Sequence, residues 1–406
     1  MQQETARQDI PSKLSSYKAA METELGLILD WWMHYMIDEQ DGGFYGTVAN
    51  NNQPAPTEKG VVLNSRILWT FSSAYNFSPK EEYLQIAKRA FNYIEKNFID
   101  YRYGGVFWSV DTKGKMKDGR KQIYGLAFCM YGLAEYYKAS NDNTALIIAK
   151  DLYNTIEQHS FDTINGGYIE AFTREWYNSG DLRLSDKDDN ERKTMNTHLH
   201  IIEAYANLFS VWPDDLLKER IEMLLGYFDK YIINKQNHHL NLFMDDEWNL
   251  RSSLISFGHD IEAAWLLQEC AEAIHHTSFI NHYKQLAMSI ADAAAEGLDA
   301  NDGGLWYEYE PKDDHWIKEK HWWPQAEAMI GFFNAYQISG DDKYLHYSLN
   351  CFDFVKKHIK DNERGEWFWG IEADGTIIKK EKAGLWKCPY HNSRACIELI
   401  KRISTL

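Results

Sequence analysis

The sequence predicts an all-α fold, a single (α/α)6 barrel of six helical hairpins with short β-like loops at one mouth. Three observations predict it: a Gly-Gly phrase that recurs every 62 residues, two helix-like segments between successive phrases, and apolar sequence in both terminal helices. A helical hairpin buries its apolar face only against its neighbours, and an open stack of hairpins needs polar caps at its ends. Because both ends are apolar here, we predict a closed ring and one domain over residues 1–406.

A Gly-Gly pair followed by aromatic residues marks each unit. The second residue of the phrase is Gly43, Gly105, Gly167, Gly304 and, in a variant form, Glu366. The interval from Gly167 to Gly304 is about twice the period, which predicts a degenerate copy near residue 240. Residues 239–244 (HLNLFM) lie there, with the glycines replaced. Six units then account for nearly the whole chain.

Two kinds of helix alternate between the phrases. Segments that are apolar on nearly all sides predict inner helices buried on both faces, at 59–76, 120–139, 193–211, 257–274, 321–338 and 386–403. Segments with a 3.6-residue apolar period and a charged face predict outer helices, at 14–36, 80–98, 142–159, 214–233, 279–297 and 341–359. Ser78-Pro79-Lys80-Glu81 is typical of an N-cap and predicts the start of the second outer helix.

Composition restricts the function classes. The net charge of −17 disfavours binding to nucleic acid or to an anionic membrane and favours a neutral small molecule. No segment approaches the roughly 20 apolar residues of a spanning helix, and the first twenty residues contain no export signal. Five cysteines without a CxxC pair are typical of a reducing compartment. We therefore expect a cytoplasmic protein, a monomer or weak dimer.

Polar residues at the starts of the inner helices form the candidate site. They are 64–66, 121–124, 196–200, 258–262, 321–327 and 386–391. The spacings of 61 residues from His198 to His259, and of 132 from His259 to His391, are close to one and two repeats. A lone helical histidine is more often a hydrogen-bonded core residue, but three at matching depth favour a site.

Arg66 has two interpretations. A structural ion pair and a role in substrate binding are equally compatible with the sequence. The tryptophans are more typical of a core than of a sugar platform, except Trp322 and Trp386, which lie where helices enter the mouth.

Metal and nucleotide sites are not predicted. His198 and His200 are two residues apart on a helix, where side chains diverge by about 200°, so only one faces the lumen. Because Asn196 shares a face with His200, we assign His200 to the site and His198 to a structural role. The sequence contains no HExxH, CxxC, GxGxxG, Walker or GxSxG motif. We therefore expect no metal and no cofactor.

Histidines with an arginine and no metal suit proton abstraction beside a carbonyl. Imidazole is a base near neutral pH, and a cation such as Arg66 stabilises the enediolate that forms. Inversion needs a proton donor on each face of that planar intermediate, which His259 and His391 supply if they lie across the barrel. Glu262 follows His259 by three residues and is placed to orient its imidazole or to hold a substrate hydroxyl.

Four segments, NTHLH with the following IIEAY, GHDIEAAWLL, HWWPQAEA and WKCPYHNSRAC, resemble the N-acylglucosamine 2-epimerase superfamily. The resemblance extends from Asp41 to Arg402 and is stronger still to members that act on cellobiose. It implies an (α/α)6 barrel that epimerises C2 of the reducing-end glucose of β-1,4-linked disaccharides, such as cellobiose and lactose, without a cofactor. By motif, it implies that His259 and His391 are the acid/base pair and that His200 assists ring opening. It also implies substrate contacts by Arg66, Tyr124, Asp188, Asn196, Glu262, Trp322 and Trp386.

Other functions remain open from the sequence. A glycoside hydrolase on the same barrel would use two carboxylates drawn from Glu203, Asp260, Glu262 and Glu327. A non-catalytic glycan-binding repeat protein needs only aromatic side chains. A mannose isomerase or an N-acylglucosamine 2-epimerase of the same superfamily differs only in its substrate or product.

Overall fold

The computed structural model describes residues 2–406, with side chains from residue 10 onward. Twelve α-helices run through this part of the chain: α1 (Gln2–Tyr35), α2 (Val61–Phe77), α3 (Glu81–Asn97), α4 (Ile123–Ser140), α5 (Asn143–His159), α6 (Met195–Phe209), α7 (Asp215–Tyr227), α8 (Phe257–Ala273), α9 (Thr277–Ala294), α10 (Trp322–Ser339), α11 (Asp342–Phe354) and α12 (Tyr390–Ser404). Short π-helical turns, Phe228–Ile232 and Val355–Ile359, extend α7 and α11, and a 3-10 turn, Ala295–Gly297, follows α9. None of the helices within residues 2–406 is both long enough and apolar enough to cross a membrane.

The even-numbered helices form a closed inner ring. Each contacts the next, and α12 returns to contact α2. The odd-numbered helices pack outside them, with α1 against α12. The core lies between the two layers, where the inner helices are buried along most of their length. The prediction of an (α/α)6 barrel is confirmed.

Short strands connect the units at the end where the inner helices begin. They are β1 (Thr47–Val48), β2 (Pro54–Ala55), β3 (Lys59–Gly60), β4 (Ser109–Val110), β5 (Met116–Asp118), β6 (Lys121–Gln122), β7 (Ala171–Phe172), β8 (Lys193–Thr194), β9 (Phe243–Met244), β10 (Ile255–Ser256), β11 (Glu308–Glu310), β12 (His315–Ile317), β13 (Lys320–His321) and β14 (Gly370–Ile371). The strand before each of five inner helices pairs antiparallel with a strand of the next unit: β3 with β4, β6 with β7, β8 with β9, β10 with β11 and β13 with β14. A bridge between Val48 and Ala383 joins the sixth unit to the first. The predicted β-like loops therefore form a ring of pairings around one mouth.

The same turn occurs in all six units. In the first unit, Asp38 donates its N–H to the carbonyl of Gly43 and accepts from the N–H of Gly42. Equivalent pairs of bonds begin at residues 100, 162, 234, 299 and 361. The turn requires a left-handed residue, supplied by Gly42 at φ +82° and, in the degenerate unit, by His238 at φ +62°. The predicted copy near residue 240 is confirmed.

A buried ion pair anchors the start of most inner helices. A lysine before the helix reaches the aspartate that opens the turn, at 2.5–2.9 Å, in the pairs Lys59–Asp38, Lys121–Asp100, Lys193–Asp162, Lys320–Asp299 and Lys382–Asp361. The first four lysines lie in the strand before the helix, and Lys382 lies in the loop before α12. The degenerate unit has Asn234 and Ile255 at these positions and has lost both partners together. These pairs connect the segment before five of the six inner helices to the turn of the same unit. Sequence analysis did not identify them.

Three predicted helix starts are wrong. Helix α1 begins at Gln2, well before the predicted start at residue 14. The prediction missed its first residues because they are polar and show no apolar period. Helix α3 begins at Glu81, and the N–H of Ser78 instead bonds to Ala74 at the end of α2, so Ser78 is not an N-cap. Helix α12 begins at Tyr390 with Pro389 at its N-cap, so residues 386–388 lie outside the helix.

Candidate active site

A cavity of about 380 Å³ lies at the mouth formed by the inner-helix starts. All ten predicted site residues line it: Arg66, Tyr124, Asp188, Asn196, His200, His259, Glu262, Trp322, Trp386 and His391. They come from all six inner helices, from the segment that precedes α12, and from the loop before β8 that contains Asp188. The ring of helices thus brings together residues that are more than 300 positions apart in the chain.

His391 is held by a carboxylate from a neighbouring helix. Its Nδ1 lies 2.6 Å from Glu327 Oε1, while the other carboxylate oxygen accepts from Trp265 Nε1 at 3.1 Å. Arg394 donates to Glu327 Oε1, the oxygen that contacts His391, at 2.7 Å. Burial, followed by the charges of Arg66 and Arg394, holds the pKa of His391 well below its ordinary value. The imidazole is therefore neutral, and its Nε2 has no hydrogen-bond partner among the described residues.

His259 has a different environment. Its Nδ1 lies 2.8 Å from the hydroxyl of Ser256, at the end of β10. Burial, then the nearby His200, lowers the pKa of His259 to about 3. Its ring lies against Trp323, with the centroids 4.7 Å apart. Within the described part of the chain, its Nε2 likewise has no partner.

The expectation that Glu262 orients His259 is wrong. Glu262 instead accepts from Arg394 at 2.6 Å, because the guanidinium on α12 attracts its carboxylate across the barrel. Burial, followed by repulsion from Glu327, raises the pKa of Glu262 to about 7. Glu262 still lines the cavity, so its alternative role, holding a substrate hydroxyl, is compatible with its position.

His200 contacts a second buried carboxylate, that of Glu203. Its Nδ1 is 2.9 Å from Glu203, whose other oxygen accepts from Tyr390 and, at 2.5 Å, from Arg394. Burial opposes ionisation of Glu203, but Arg394 and His200 outweigh it and hold its pKa at about 2. Arg394 therefore connects the glutamates behind His200 and His391.

His198 does not line the cavity. Its Nε2 accepts from the N–H of Tyr168 at 2.9 Å, and its Nδ1 lies 2.7 Å from the carbonyl of Thr194. His198 thus connects α6 to the Gly166-Gly167 turn of the same repeat unit, which is a structural role. The 61-residue spacing from His198 to His259 therefore does not mark equivalent site positions. His200 is the sixth residue of α6 and His259 the third of α8, so the two reach the cavity from different heights.

Arg66 is buried and has no carboxylate partner. Its guanidinium donates to Tyr124 at 2.7 Å and to Cys388 Sγ at 3.5 Å, and it lies 4.1 Å from the centre of the Phe128 ring. Among the described residues, no aspartate or glutamate lies within ion-pair distance of it, and its Nε has no hydrogen-bond partner. The ion-pair alternative for Arg66 is therefore wrong.

Aromatic and polar side chains surround the outer part of the cavity. Trp386 packs on Trp108, and Trp369 packs on Trp322, with ring centroids 5.8 and 4.7 Å apart. In the described structure, Asn196 Oδ1 and Trp322 Nε1 are buried without a protein partner. Asp188 accepts from the backbone N–H and hydroxyl of Ser185, which holds the loop against the opening.

Comparison with known proteins identifies the family. The model of the N-acylglucosamine 2-epimerase (GlcNAc 2-epimerase) family matches residues 43–395. The chain belongs to this family. It is 46% identical over 386 residues to a cellobiose 2-epimerase of Bacteroides fragilis, covering 94% of this chain and 98% of that protein. The chain is also 39% identical to a cellobiose 2-epimerase from Bacillus thermoamylovorans whose structure is solved. The two structures align with a TM-score of 0.91 over 96% of this chain and 100% of that protein's chain. The expectation of a carbohydrate epimerase is confirmed.

The hydrolase alternative does not fit the carboxylates in the barrel. A GH76 α-mannanase from Bacteroides thetaiotaomicron has a TM-score of 0.67 at 12% identity, covering 95% of this chain and 97% of that one, so it shares the fold. Of the four carboxylates that the hydrolase alternative named, only Glu262 lines the cavity. Asp260 is buried elsewhere and accepts from His239 and from the N–H of Leu240. Glu203 and Glu327 are engaged by Arg394.

One group of side chains has the spacing of a metal site. Ligand atoms of Glu262, Glu327 and His391 lie within 4.8 Å of one another. Arg394 already donates to both carboxylates, so its guanidinium supplies the positive charge that a metal ion would otherwise supply. The donor set therefore fits an ion-pair network better than a metal centre.

Sequence analysis assigned no role in an epimerase site to several residues, although its candidate range 321–327 contains His321, Trp323 and Glu327. Glu327 and Arg394 lie within the segments that carried the family resemblance, and Ser256 is three residues before His259, yet nothing local indicated their partners. Trp323 is adjacent to the chosen Trp322 and is the tryptophan that contacts both histidines. Other lining residues come from loops and strands with no periodic signal: Glu170, Lys187, Tyr307, Glu308, His321, Trp369 and Lys380.

Proposed function

We propose that the protein catalyses the reversible C2 epimerisation of the reducing-end glucose of β-1,4-linked disaccharides, such as cellobiose and lactose, to mannose. One observation carries the mechanism: two neutral imidazoles, His259 and His391, line one cavity with their Nε2 atoms unpaired. The cellobiose 2-epimerases described above support the choice of substrate.

The two imidazoles act as a two-base pair. In the open-chain sugar, one imidazole removes the proton from C2 and leaves a planar cis-enediolate. The other returns a proton to C2 on the opposite face, which inverts the centre. Each is fixed through Nδ1, by Ser256 for His259 and by Glu327 for His391, so that Nε2 handles the transferred proton.

Burial prepares both histidines for these steps. An imidazole with a depressed pKa is neutral at pH 7 and is free to accept a proton from carbon. Once protonated in the same apolar surroundings, it returns that proton readily. The depressed pKa of His259 and His391 therefore keeps both imidazoles unprotonated, and able to accept a proton, before the reaction begins.

Arg66 stabilises the enediolate. Burial opposes its charge, but Tyr124 and Cys388 raise its pKa above the ordinary value, so the guanidinium stays protonated. With no carboxylate partner, that charge is available to the developing oxyanion. Tyr124 holds the guanidinium in place through its hydroxyl.

His200 assists ring opening. Glu203 remains ionised beneath it and accepts from Nδ1, which directs Nε2 of His200 to the cavity. A proton donor or acceptor at that point serves the oxygen atoms of the hemiacetal, which must exchange a proton when the ring opens.

The remaining predicted residues bind the sugar. The unpaired amide oxygen of Asn196 and indole N–H of Trp322 are suited to hydroxyl groups, and Glu262 accepts another. Trp386 offers a ring face beside Tyr124, and Asp188 at the outer rim suits the second sugar.

We further propose that the reaction needs no metal or cofactor, because histidine, arginine and glutamate side chains supply every proton and charge. A single catalytic domain over residues 1–406 is supported by one continuous hydrophobic core. A cytoplasmic location is supported by five buried, free cysteines. We also propose a monomer or weak dimer that binds neither nucleic acid nor a membrane, in keeping with the net charge of −17.

Incubation with cellobiose in D2O tests the proposal. We expect a mannose-ended disaccharide with deuterium at C2, read by NMR. Release of monosaccharides without deuterium incorporation would overturn it in favour of hydrolysis. A ketose as the main product would instead indicate a mannose-isomerase-like activity, in which the proton returns to C1.

A further inference from the structure

Trp323 contacts both of the reacting histidines. Its ring centroid lies 4.7 Å from that of His259 and 5.6 Å from that of His391. It is the second residue of α10 and lines the cavity. Among the described residues, no other ring is recorded in contact with both imidazoles.

Helix α8 has a glycine, Gly258, at the point where the indole of Trp323 packs against it. A Cβ added to Gly258 on α8 would lie 2.6 Å from Cη2 and 2.8 Å from Cζ3 of Trp323. Gly258 is in ordinary helical conformation, where alanine is normally the more stabilising residue. The absence of a side chain at position 258 is therefore required by the position of Trp323 and not by the backbone.

The enediolate has two carbons that can accept a proton. Protonation of C2 gives the epimer or returns the substrate. Protonation of C1 by the imidazolium, with transfer of the O2 proton to O1 and formation of a C2 carbonyl, gives the ketose. C1 and C2 are neighbouring atoms, so a small rotation of a protonated imidazole changes which carbon receives the proton.

We propose that Trp323 is a specificity-determining residue, which holds both imidazoles aimed at C2 and so suppresses ketose formation. Each histidine makes one side-chain hydrogen bond at Nδ1, to Ser256 or Glu327, and this bond alone allows the ring to rotate about it. His391 also contacts the ring of Tyr390, whereas Trp323 is the one ring that contacts His259 among the described residues. The indole removes that freedom by packing against both rings. This inference rests on the proposed epimerisation.

Three variants separate this role from simple packing. Trp323→Phe shortens the ring that contacts the histidines. Gly258→Ala keeps the indole but displaces it through the added methyl group. Gly226→Ala on α7 is the matched control, because it makes the same change in a helix where nothing lies within 4 Å of the new Cβ.

The measurement is the ratio of ketose to C2 epimer formed from cellobiose, together with kcat, KM and Tm. We expect Trp323→Phe and Gly258→Ala each to raise the ratio by about tenfold, the scale on which one lost packing contact changes discrimination. Gly226→Ala should leave the ratio unchanged and raise Tm. An unchanged ratio in folded Trp323→Phe and Gly258→Ala proteins would overturn the inference while leaving the epimerase proposal intact. A wild-type protein that forms no epimer would overturn both.

Discussion

The two sides of the cavity support their histidines in different ways. On the α12 side, His391 rests on a charged network in which Glu327 contacts both the imidazole and Arg394. On the α8 side, His259 has one neutral partner, the hydroxyl of Ser256, and no carboxylate within ion-pair distance among the described residues. Both imidazoles are nevertheless kept neutral, since burial is the largest cause of each depressed pKa.

The difference shows that a carboxylate behind a histidine need not make it a strong base. Arg394 neutralises Glu327, so the Glu327–His391 contact fixes the tautomer and direction of the ring without favouring its protonation. His259 obtains its direction from a hydroxyl and from packing against Trp323. Loss of support should therefore have unequal consequences on the two sides.

Removal of either histidine should have the largest effect. We expect His259→Ala and His391→Ala each to reduce kcat/KM for epimerisation by about 10²- to 10⁴-fold with the fold intact, because each inversion needs both an acid and a base. In D2O, one variant should still exchange C2–H of glucose-ended substrate without inversion, and the other should do so with mannose-ended substrate. His200→Ala should instead slow both directions together.

NMR of C2 exchange and circular dichroism check these expectations. If both variants at His259 and His391 epimerise at close to the wild-type rate, the two-base mechanism is wrong, and Glu262 becomes the first candidate for the base.

Loss of the supporting partners should separate the two sides. We expect Glu327→Gln to lower kcat by about 10²-fold, less than the roughly 10⁴-fold loss when the carboxylate behind a catalytic-triad histidine becomes an amide. Ser256→Ala, which removes one neutral hydrogen bond, should lower kcat by about tenfold or less. Steady-state kinetics on cellobiose measure both, and equal losses would contradict the contrast between the two sides.

The pH dependence of stability should have opposite signs for two residues of α8, Glu262, which contacts Arg394, and His259, which does not. The pKa of Glu262, raised from 4.5 to about 7, gives stability that is present below pH 4.5 and lost as the pH rises through 7. The pKa of His259, lowered from 6.5 to about 3, gives stability that is present above pH 6.5 and lost as the pH falls through 3.

Glu262→Gln and His259→Gln should each remove one of these dependences. Between pH 4.5 and 6.5, we expect the free energy of unfolding of wild type, relative to Glu262→Gln, to fall by up to about 3 kcal/mol, and relative to His259→Gln to rise by a similar amount. Urea denaturation at several pH values measures both slopes. Slopes of the same sign would show that the two environments do not differ as described.

Chelation should have the smallest effect. Because Arg394 supplies the positive charge beside Glu262 and Glu327, we expect full activity after exhaustive EDTA treatment and dialysis. A loss of turnover that zinc or manganese restores would show that the α12 side is a metal centre and not an ion-pair network.

Local sequence patterns predicted the helices better than their ends. Apolar periodicity predicted all twelve helices, because burial imposes that period on the sequence. It misplaced the starts of α1, α3 and α12. At α3 and α12, a serine and a proline were compatible with more than one capping arrangement. It also gave His198 and His259 the same apparent repeat position, although hydrogen bonds assign His198 to the turn of its own unit.

The sequence by itself determined the sixfold repeat, the alternation of inner and outer helices, and ten of the residues that line the cavity, because each of these leaves a local period or motif. Only the tertiary structure decided which groups support the histidines. Glu327 and His391 are 64 residues apart and meet through the packing of α10 against α12. The same packing places Trp323 against both His259 and His391 and directs Glu262 to Arg394. Such partners depend on the rotation and height of neighbouring helices, which long-range packing sets and no local pattern records.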